Sequence, residues 1–142
     1  MRVSQILSAK GDAVFTATPK DTVDAICALL HVRRIGAMVI LDGDRIAGIV
    51  SERDIVRALA QEGATALMRP VSGIMTPEVH LAGPDDSVDE LLEIMTDRRI
   101  RHLPVWHTGK LLGIVSIGDL VKSKISEVEA EADGLKAYIA AG

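Results

Sequence analysis

The chain has 142 residues, a net charge of −4 and 48% hydrophobic residues, a composition that permits a packed core and disfavours intrinsic disorder. The acidic balance disfavours electrostatic binding to nucleic acid, and one Phe, one Tyr and one Trp are too few for a base-stacking platform. A single cysteine, Cys27, excludes an internal disulfide.

No segment of the sequence predicts membrane insertion. The longest apolar run, residues 35–41, has seven residues, whereas about 20 are needed to span a bilayer. The first residues contain no apolar stretch of signal-peptide length. We therefore expect a cytoplasmic protein without membrane contact.

The chain repeats itself at an offset of 65 residues. The segment Asp21–Arg57 aligns without a gap on Asp86–Lys122, and 12 of the 37 aligned positions are identical. A weaker match, VSQIL at Val3 over VSGIM at Val71, opens each copy. Two copies of one unit predict an intramolecular pair with approximate twofold symmetry.

The first half of each repeat predicts a strand, a turn and a helix. The strand covers residues 14–17 in one copy and 79–81 in the other, and a proline follows each. The helix begins after Thr22 or Ser87, which are suitable N-caps, and it carries apolar residues at helical spacing. Ser87 and Glu90 also have the spacing of a capping box.

The second half of each repeat predicts a hairpin and a second helix. The hairpin strands are expected at 37–41 and 46–50 in the first repeat, and at 103–106 and 110–115 in the second. A helix then begins after Ser51 or Ser116. The resulting β-α-β-β-α order predicts an α/β (α+β) fold with helices on one face of a small sheet.

These patterns predict four segments in the chain. They are a first repeat (1–62), a linker (63–70), a second repeat (71–126) and a C-terminal helical extension (127–142). A unit of about 60 residues cannot bury both its helix and sheet faces alone, so we expect the two repeats to pack together.

The strings GIVSERD and GIVSIGD are the most informative motifs. In each, an apolar strand ends at a serine, Ser51 or Ser116, and an aspartate, Asp54 or Asp119, follows three residues later at a helix start. One interpretation is helix capping alone. The other is ligand binding, because a helix N-terminus attracts anions and a carboxylate can accept hydrogen bonds from two ribose hydroxyls.

A basic cluster stands out in an acidic chain. Arg33-Arg34 and Arg98-Arg99 lie at matching helix ends, where cations complement the helix dipole. Arg101 and His102 follow in the second copy only, past the helix end. Arg53 lies in a first helical turn, where the dipole disfavours a cation, so its position suggests a nearby phosphate.

No motif predicts catalysis or metal binding. The four histidines lack metal-ligand spacing, and no G-x-S-x-G, Walker or G-x-G-x-x-G string occurs. Cys27 lies on the apolar stripe of its helix, as a core thiol would. We therefore expect no enzyme activity, no catalytic cofactor and no metal.

The repeat resembles the CBS domain, named after cystathionine β-synthase, and the chain resembles a stand-alone tandem pair, or Bateman module. The resemblance covers about residues 3–125 and is carried by the D-[TS]-V helix start, the R-R-I entry to the second strand and G-I-V-S-x-x-D. It implies two such repeats packed as a pseudo-twofold pair. It also implies that AMP, ADP, ATP or NAD(H) binds between the repeats.

The resemblance implies roles for particular residues. Ser51, Asp54, Ser116 and Asp119 would contact ribose and phosphate. Phosphate would be held by Arg53 in one site and, since its counterpart is Gly118, by Arg99, Arg101 or His102 in the other. Adenine would lie against the strand entries, which are Ile35, Gly36 and Ala37 in the first repeat and Ile100, Arg101 and His102 in the second. Thr18, before the early proline, would touch ribose, whereas its counterpart is Gly83.

The function expected from these observations is that of a sensor. Occupancy by an adenine nucleotide would be passed to a regulated protein partner, and a homodimer is expected by resemblance to the family. The alternative is a ligand-free dimerisation adaptor with degenerate sites. Because Thr18, Arg53 and their counterparts differ, the two sites are expected to be unequal.

Overall fold

A computed structural model describes residues 1–11 and 14–141. In chain order its elements are α1 (Val3–Lys10), β1 (Thr16–Ala17), α2 (Val23–Arg33), β2 (Ala37–Asp42), β3 (Arg45–Ser51), α3 (Glu52–Glu62), 3₁₀ turns at Gly63–Met68 and Val71–Gly73, α4 (Val88–Arg98), β4 (His102–His107), β5 (Lys110–Ser116) and α5 (Ile117–Ala141). Mixed helix and strand content and two small sheets confirm the predicted fold class.

The chain divides into two compact units. The first unit is Val14–His80, and the second unit is Leu81–Gly142 together with Met1–Ala13. Each has its own apolar core, built mainly from aliphatic side chains. The first core is formed by Ala17, Val23, Ile26, Leu30, Met38, Ile40, Val50, Ile55 and Val71. The second is formed by Val3, Ile6, Ala82, Val88, Leu91, Met95, Leu103, Val105, Val115 and Leu120.

The predicted hairpins are confirmed in both units. β2 pairs with β3, and β4 with β5, both antiparallel and both with one irregularity at the same relative position. The first turn places Gly43 at φ 64°, and the second places Thr108 and Gly109 at φ 49° and 76°. These left-handed conformations are those that two-residue hairpin turns require.

The opening strands are shorter than predicted. β1 contains only Thr16 and Ala17 and pairs parallel to β2. The strand predicted over 79–81 is wrong, because the second unit has only a single parallel bridge there, between Ala82 and Val105. Gly83 and Pro84 end this extended segment, as Thr18 and Pro19 end β1.

The predicted helix starts are confirmed. Thr22 Oγ1 accepts a hydrogen bond from Ala25 N at 3.2 Å, and Ser87 Oγ accepts one from Glu90 N at 3.2 Å. Each satisfies one of the unpaired N–H groups of a first helical turn. The predicted linker is not extended, since Gly63–Met68 forms a 3₁₀ turn that buries Ala66.

Each opening segment packs in the unit formed by the other repeat. Val3 N donates to Asp86 O at 3.0 Å, and the equivalent Val71 N donates to Asp21 O at 2.7 Å. The apolar side chains of these segments enter the same cores, as Val3 does in the second unit. The compact units therefore do not coincide with the sequence repeats, although the contacts themselves are repeated.

The glycine shared by the two GIVS strings lies against these segments. A Cβ on Gly48 would lie 2.8 Å from the backbone oxygen of Thr76, whose N–H and C=O both pair with Ile49. A Cβ on Gly113 would instead lie 2.9 Å from the end of the Leu7 side chain. The first obstacle is fixed backbone, whereas the second is a side chain that can rotate.

We predict that Gly48→Ala lowers the free energy of unfolding by about 1–3 kcal/mol, in the range of overpacked cores. The matched variant Gly113→Ala is expected to cost clearly less, because Leu7 can change rotamer. Urea denaturation of both variants and the unsubstituted chain measures the difference. Equal losses would show that the backbone bridge at Thr76 does not restrict Gly48.

Candidate functional site

In the first unit, Ser51 and Asp54 form a reciprocal capping box at the start of α3. Ser51 N donates to Asp54 Oδ2 at 2.9 Å, and Asp54 N donates to Ser51 Oγ at 3.4 Å. Asp54 is only 8% exposed, although it is charged. Arg57, one turn further along the helix, lies 3.5 Å from the other carboxylate oxygen. These contacts confirm that the motif caps α3.

In the second unit, Ser116 and Asp119 repeat the box at the start of α5. Ser116 N donates to Asp119 Oδ2 at 2.9 Å, and Asp119 N donates to Ser116 Oγ at 3.1 Å. Of these two bonds only the one from Ser116 N ends on the carboxylate, which has about four lone-pair positions, so acceptor capacity remains. Capping and ligand binding are thus chemically compatible at both aspartates.

The sheet register brings the strand entry next to each box. Ala37 pairs with Ser51, and His102 pairs with Ser116. One residue earlier, Gly36 O accepts from Glu52 N at 3.0 Å, and the equivalent Arg101 O accepts from Ile117 N at 2.8 Å. The predicted base-contacting and ribose-contacting residues therefore lie side by side within each unit.

Lys10 makes the second unit's carboxylate different from the first. Its Nζ donates to Asp119 Oδ2 at 2.7 Å and to Ile114 O at 2.8 Å. Burial alone would raise the pKa of Asp119, but hydrogen bonds from Lys10 and Ser116 and the lysine charge outweigh it, so the pKa is lowered. In the first unit the corresponding carboxylate, Asp54, pairs instead with Arg57 of its own helix.

Sequence reasoning missed Lys10. It lies on α1, far from Asp119 in the chain, and the equivalent position after the opening segment of the second repeat is Glu78. No repeated charge therefore marked it. Its position follows from the packing of α1 in the second unit, which the local pattern did not predict.

The arginines at the helix ends have an unexpected backbone conformation. Arg34 and Arg99 are the C-terminal capping residues of α2 and α4, and both are left-handed, with φ 54° and 56°. Glycine normally fills this position, because a side chain costs about 1–2 kcal/mol there. Both arginines are exposed. Arginine thus stands twice at a position that glycine would fill with less strain.

The neighbouring basic residues differ in their contacts and exposure. The Arg33 guanidinium lies 4.6 Å from the centre of the Phe15 ring, a cation–π contact. Arg53 and Arg101 are exposed. Arg53 lies in the first turn of α3, as the motif predicted. His102 is half-buried at the start of β4.

The residues before the early prolines have matching backbone geometry. Thr18 N donates to Asp21 Oδ2 at 2.9 Å, and Gly83 N donates to Asp86 Oδ2 at 2.8 Å. Thr18 is exposed, so the first unit offers a hydroxyl at a position where the second unit has only backbone.

The other expectations concern metals, thiols and membranes. Among residues 1–11 and 14–141, no group of three or more His, Cys, Asp and Glu side chains could hold a metal ion. Burial, and then the charge of Asp24, raise the pKa of the Cys27 thiol, which disfavours the reactive thiolate. Within the same described ranges, no helix is both long and apolar enough to cross a membrane.

Comparison with known proteins identifies the repeats. The family model described as "CBS domain" matches residues 3–61 and 71–126. The chain is 34% identical to the "CBS domain-containing protein CBSX3, mitochondrial" of Arabidopsis thaliana, over 99% of this chain and 72% of that protein.

Solved structures agree with the family match. A CBS-domain containing protein from Agrobacterium tumefaciens is 42% identical, with a TM-score of 0.84, over 87% of this chain and 99% of that one. The CBS domain pair of protein MJ0100, solved with 5-methylthioadenosine and S-adenosyl-L-methionine, is 26% identical, with a TM-score of 0.79, over 89% of this chain and 98% of that one.

We predict that Lys10→Met lowers the free energy of unfolding at pH 7 by a few tenths to about 1 kcal/mol, the usual range for an accessible ion pair. Because the folded pKa of Asp119 lies below its ordinary value of 3.8, this stabilisation is fully present above that pH. It disappears as the pH falls through the lowered pKa. Urea titrations from pH 7 to pH 3 measure it, with Lys20→Met as the exposed control. A difference that grows on acidification would contradict the assignment.

We also predict that Arg99→Gly raises the free energy of unfolding by about 0.5–1 kcal/mol, because glycine relieves the left-handed strain. Arg98→Gly, one residue earlier and within α4, should lower it by about 1 kcal/mol. Thermal unfolding of both variants checks the opposite signs. Destabilisation by Arg99→Gly would mean that its side chain contributes more to folding than its backbone costs.

Proposed function

This chain belongs to the CBS domain family, and from that premise we propose that it is a non-catalytic regulatory module that binds an adenine nucleotide and signals its occupancy to a partner protein. Each unit supplies one set of ligand-binding residues. The proposal rests on one observation above all, namely that a helix-start carboxylate lies beside a strand entry in both units.

The chemistry of each set suits an adenosine group. The carboxylates of Asp54 and Asp119 would accept hydrogen bonds from ribose hydroxyls, using lone pairs that the capping boxes leave over. Adenine would lie against the strand entries, at Ile35, Gly36 and Ala37 in one unit and at Ile100, Arg101 and His102 in the other. The adenosyl ligands of protein MJ0100 support this class of ligand.

A negatively charged ligand is favoured over a neutral adenosine. Arg53 is exposed in the first turn of α3, where the positive end of the helix dipole disfavours a cation. A bound phosphate would offset this repulsion. In the second unit, where Gly118 replaces it, Arg99 and Arg101 are the exposed cations nearest in sequence to the strand entry. AMP, ATP and NAD(H) all satisfy this requirement.

The two sets are proposed to differ in affinity. Thr18 adds a hydroxyl to the first, whereas Lys10 already holds one carboxylate oxygen of Asp119 in the second. A ribose in the second unit would bind the other oxygen, Oδ1, of a carboxylate whose charge Lys10 already offsets at 2.7 Å, closer than the 3.5 Å between Arg57 and Asp54. We therefore assign the tighter site to the first unit, with occupancy read by a regulated protein partner.

Isothermal titration with AMP, ATP, NAD and NADH tests the proposal. At least one ligand should bind, and Asp54→Asn should weaken the tighter site by about tenfold or more, the equivalent of about 1.4 kcal/mol. Asp119→Asn should affect the weaker site. Asn keeps a side-chain oxygen for capping, and circular dichroism confirms folding.

The matched control is Asp42→Asn at the exposed end of β2, which should leave binding unchanged. If folded protein binds none of the four ligands, the nucleotide proposal fails and the ligand-free adaptor becomes the better description. Binding that survives both Asp54→Asn and Asp119→Asn would place the ligand elsewhere.

A further inference from the structure

The C-terminal helix α5 carries an exposed apolar stripe. Its members follow a regular 4-3-4-3-4 spacing, the alternation of coiled-coil a and d positions. They are Val121, Ile125, Val128, Ala132, Leu135 and Ile139. Exposure is 53% at Ile125, 60% at Leu135 and 67% at Ile139. We call these six residues the α5 seam.

The seam is not the side of α5 that packs on its own unit. Leu120 and Ser123 are the buried residues of this helix. Lys124 lies 3.0 Å from Asp89 of α4, and Glu127 lies 3.7 Å from the N-terminal amine. These contacts lie along a different line of the helix surface from the seam, which leaves large apolar side chains in water over most of the length of α5.

We propose that the α5 seam pairs with the α5 seam of a second copy of this chain, as a parallel, in-register, two-stranded coiled coil. A helix of 25 residues extends about 37 Å, long enough for three heptads. Ile125 and Ile139 at a positions, with Leu135 at a d position, favour two strands. This inference does not rest on nucleotide binding.

The flanking charges select a second copy and its orientation. With Ile125 at position a, Lys124 and Glu131 lie at g, and Glu129 and Lys136 lie at e. A parallel pair places g of one helix opposite the following e of the other. Lys124 then faces Glu129 of the second copy, and Glu131 faces Lys136 of the second copy. All four symmetry-related pairs are attractive.

The antiparallel alternative brings like charges together. Overlaying the seam on itself in that direction pairs e with e and g with g. Lys122 would then face Lys136 of the second copy, while Glu129 and Glu131 would each face their own counterparts. The charge pattern therefore opposes the antiparallel arrangement. Because Lys124 already pairs with Asp89, Glu131 and Lys136 provide the cleaner test.

The first experiment measures the mass of the full chain by sedimentation equilibrium. The unsubstituted chain should dimerise, and Leu135→Asp with Ile139→Asp should raise the dimer dissociation constant by about a hundredfold or more. The matched control is Ala130→Asp with Ala137→Asp, which puts the same charges on exposed positions outside the seam. That control should remain dimeric.

The second experiment tests orientation. Lys136→Glu should weaken the dimer by about tenfold, and adding Glu131→Lys should restore it, because the exchanged charges attract again. In a Cys27→Ser background, Ala132→Cys should form a disulfide-linked dimer with diamide, since identical a positions meet only in a parallel, in-register pair.

Each outcome decides the proposal. A monomer at all concentrations, or a dimer unchanged by the two aspartates that fails to cross-link at position 132, overturns it. A dimer strengthened by Lys136→Glu overturns the parallel orientation. Titration of the aspartate variant with nucleotide keeps the two proposals separate, because loss of the seam should leave each unit's ligand-binding residues intact.

Discussion

The fold depends most on the backbone hydrogen bonds that hold the opening segment of each repeat in the unit formed by the other repeat. Val3 and Val71 make equivalent hydrogen bonds, to Asp86 and Asp21 respectively, and their side chains complete the two apolar cores. Without these segments, each unit would expose apolar strand surface, and a unit of this size buries too little surface elsewhere to remain folded. The same exchange carries Lys10 to Asp119, so an architectural constraint also sets the chemistry of one site.

The helix-start aspartates serve folding as caps, and under the proposed function the same carboxylates bind the ligand. Capping uses the backbone N–H groups and part of the carboxylate, and it holds that carboxylate in place without reorganisation when a ligand arrives. The Ser–Asp box is the same in both repeats, but the residues around it differ. Arg57 beside Asp54 and Lys10 beside Asp119 give the two carboxylates different electrostatic neighbours. Two unequal ligand sites can therefore arise from one duplicated motif.

The left-handed arginines and the α5 seam are departures from what folding alone would select. Arg34 and Arg99 occupy positions where glycine would be more stable. The seam leaves isoleucine and leucine in water, where polar residues would suit an unpartnered helix. Both features have a physical explanation once a partner is supplied, an anion for the arginines and a second helix for the seam. Stability measurements and binding measurements on the same variants separate these roles.

The sequence by itself determined the repeat, the helix starts at Thr22 and Ser87, the hairpins and the two Ser–Asp boxes, because each depends on residues close together in the chain. The proximity of the candidate site residues within each unit was also predictable, since strand pairing brings Ala37 to Ser51 and His102 to Ser116. Only the tertiary structure decided which repeat each opening segment joins, and hence that Lys10 meets Asp119. Apolar periodicity shows that a segment must be buried, but not against which of two equivalent cores.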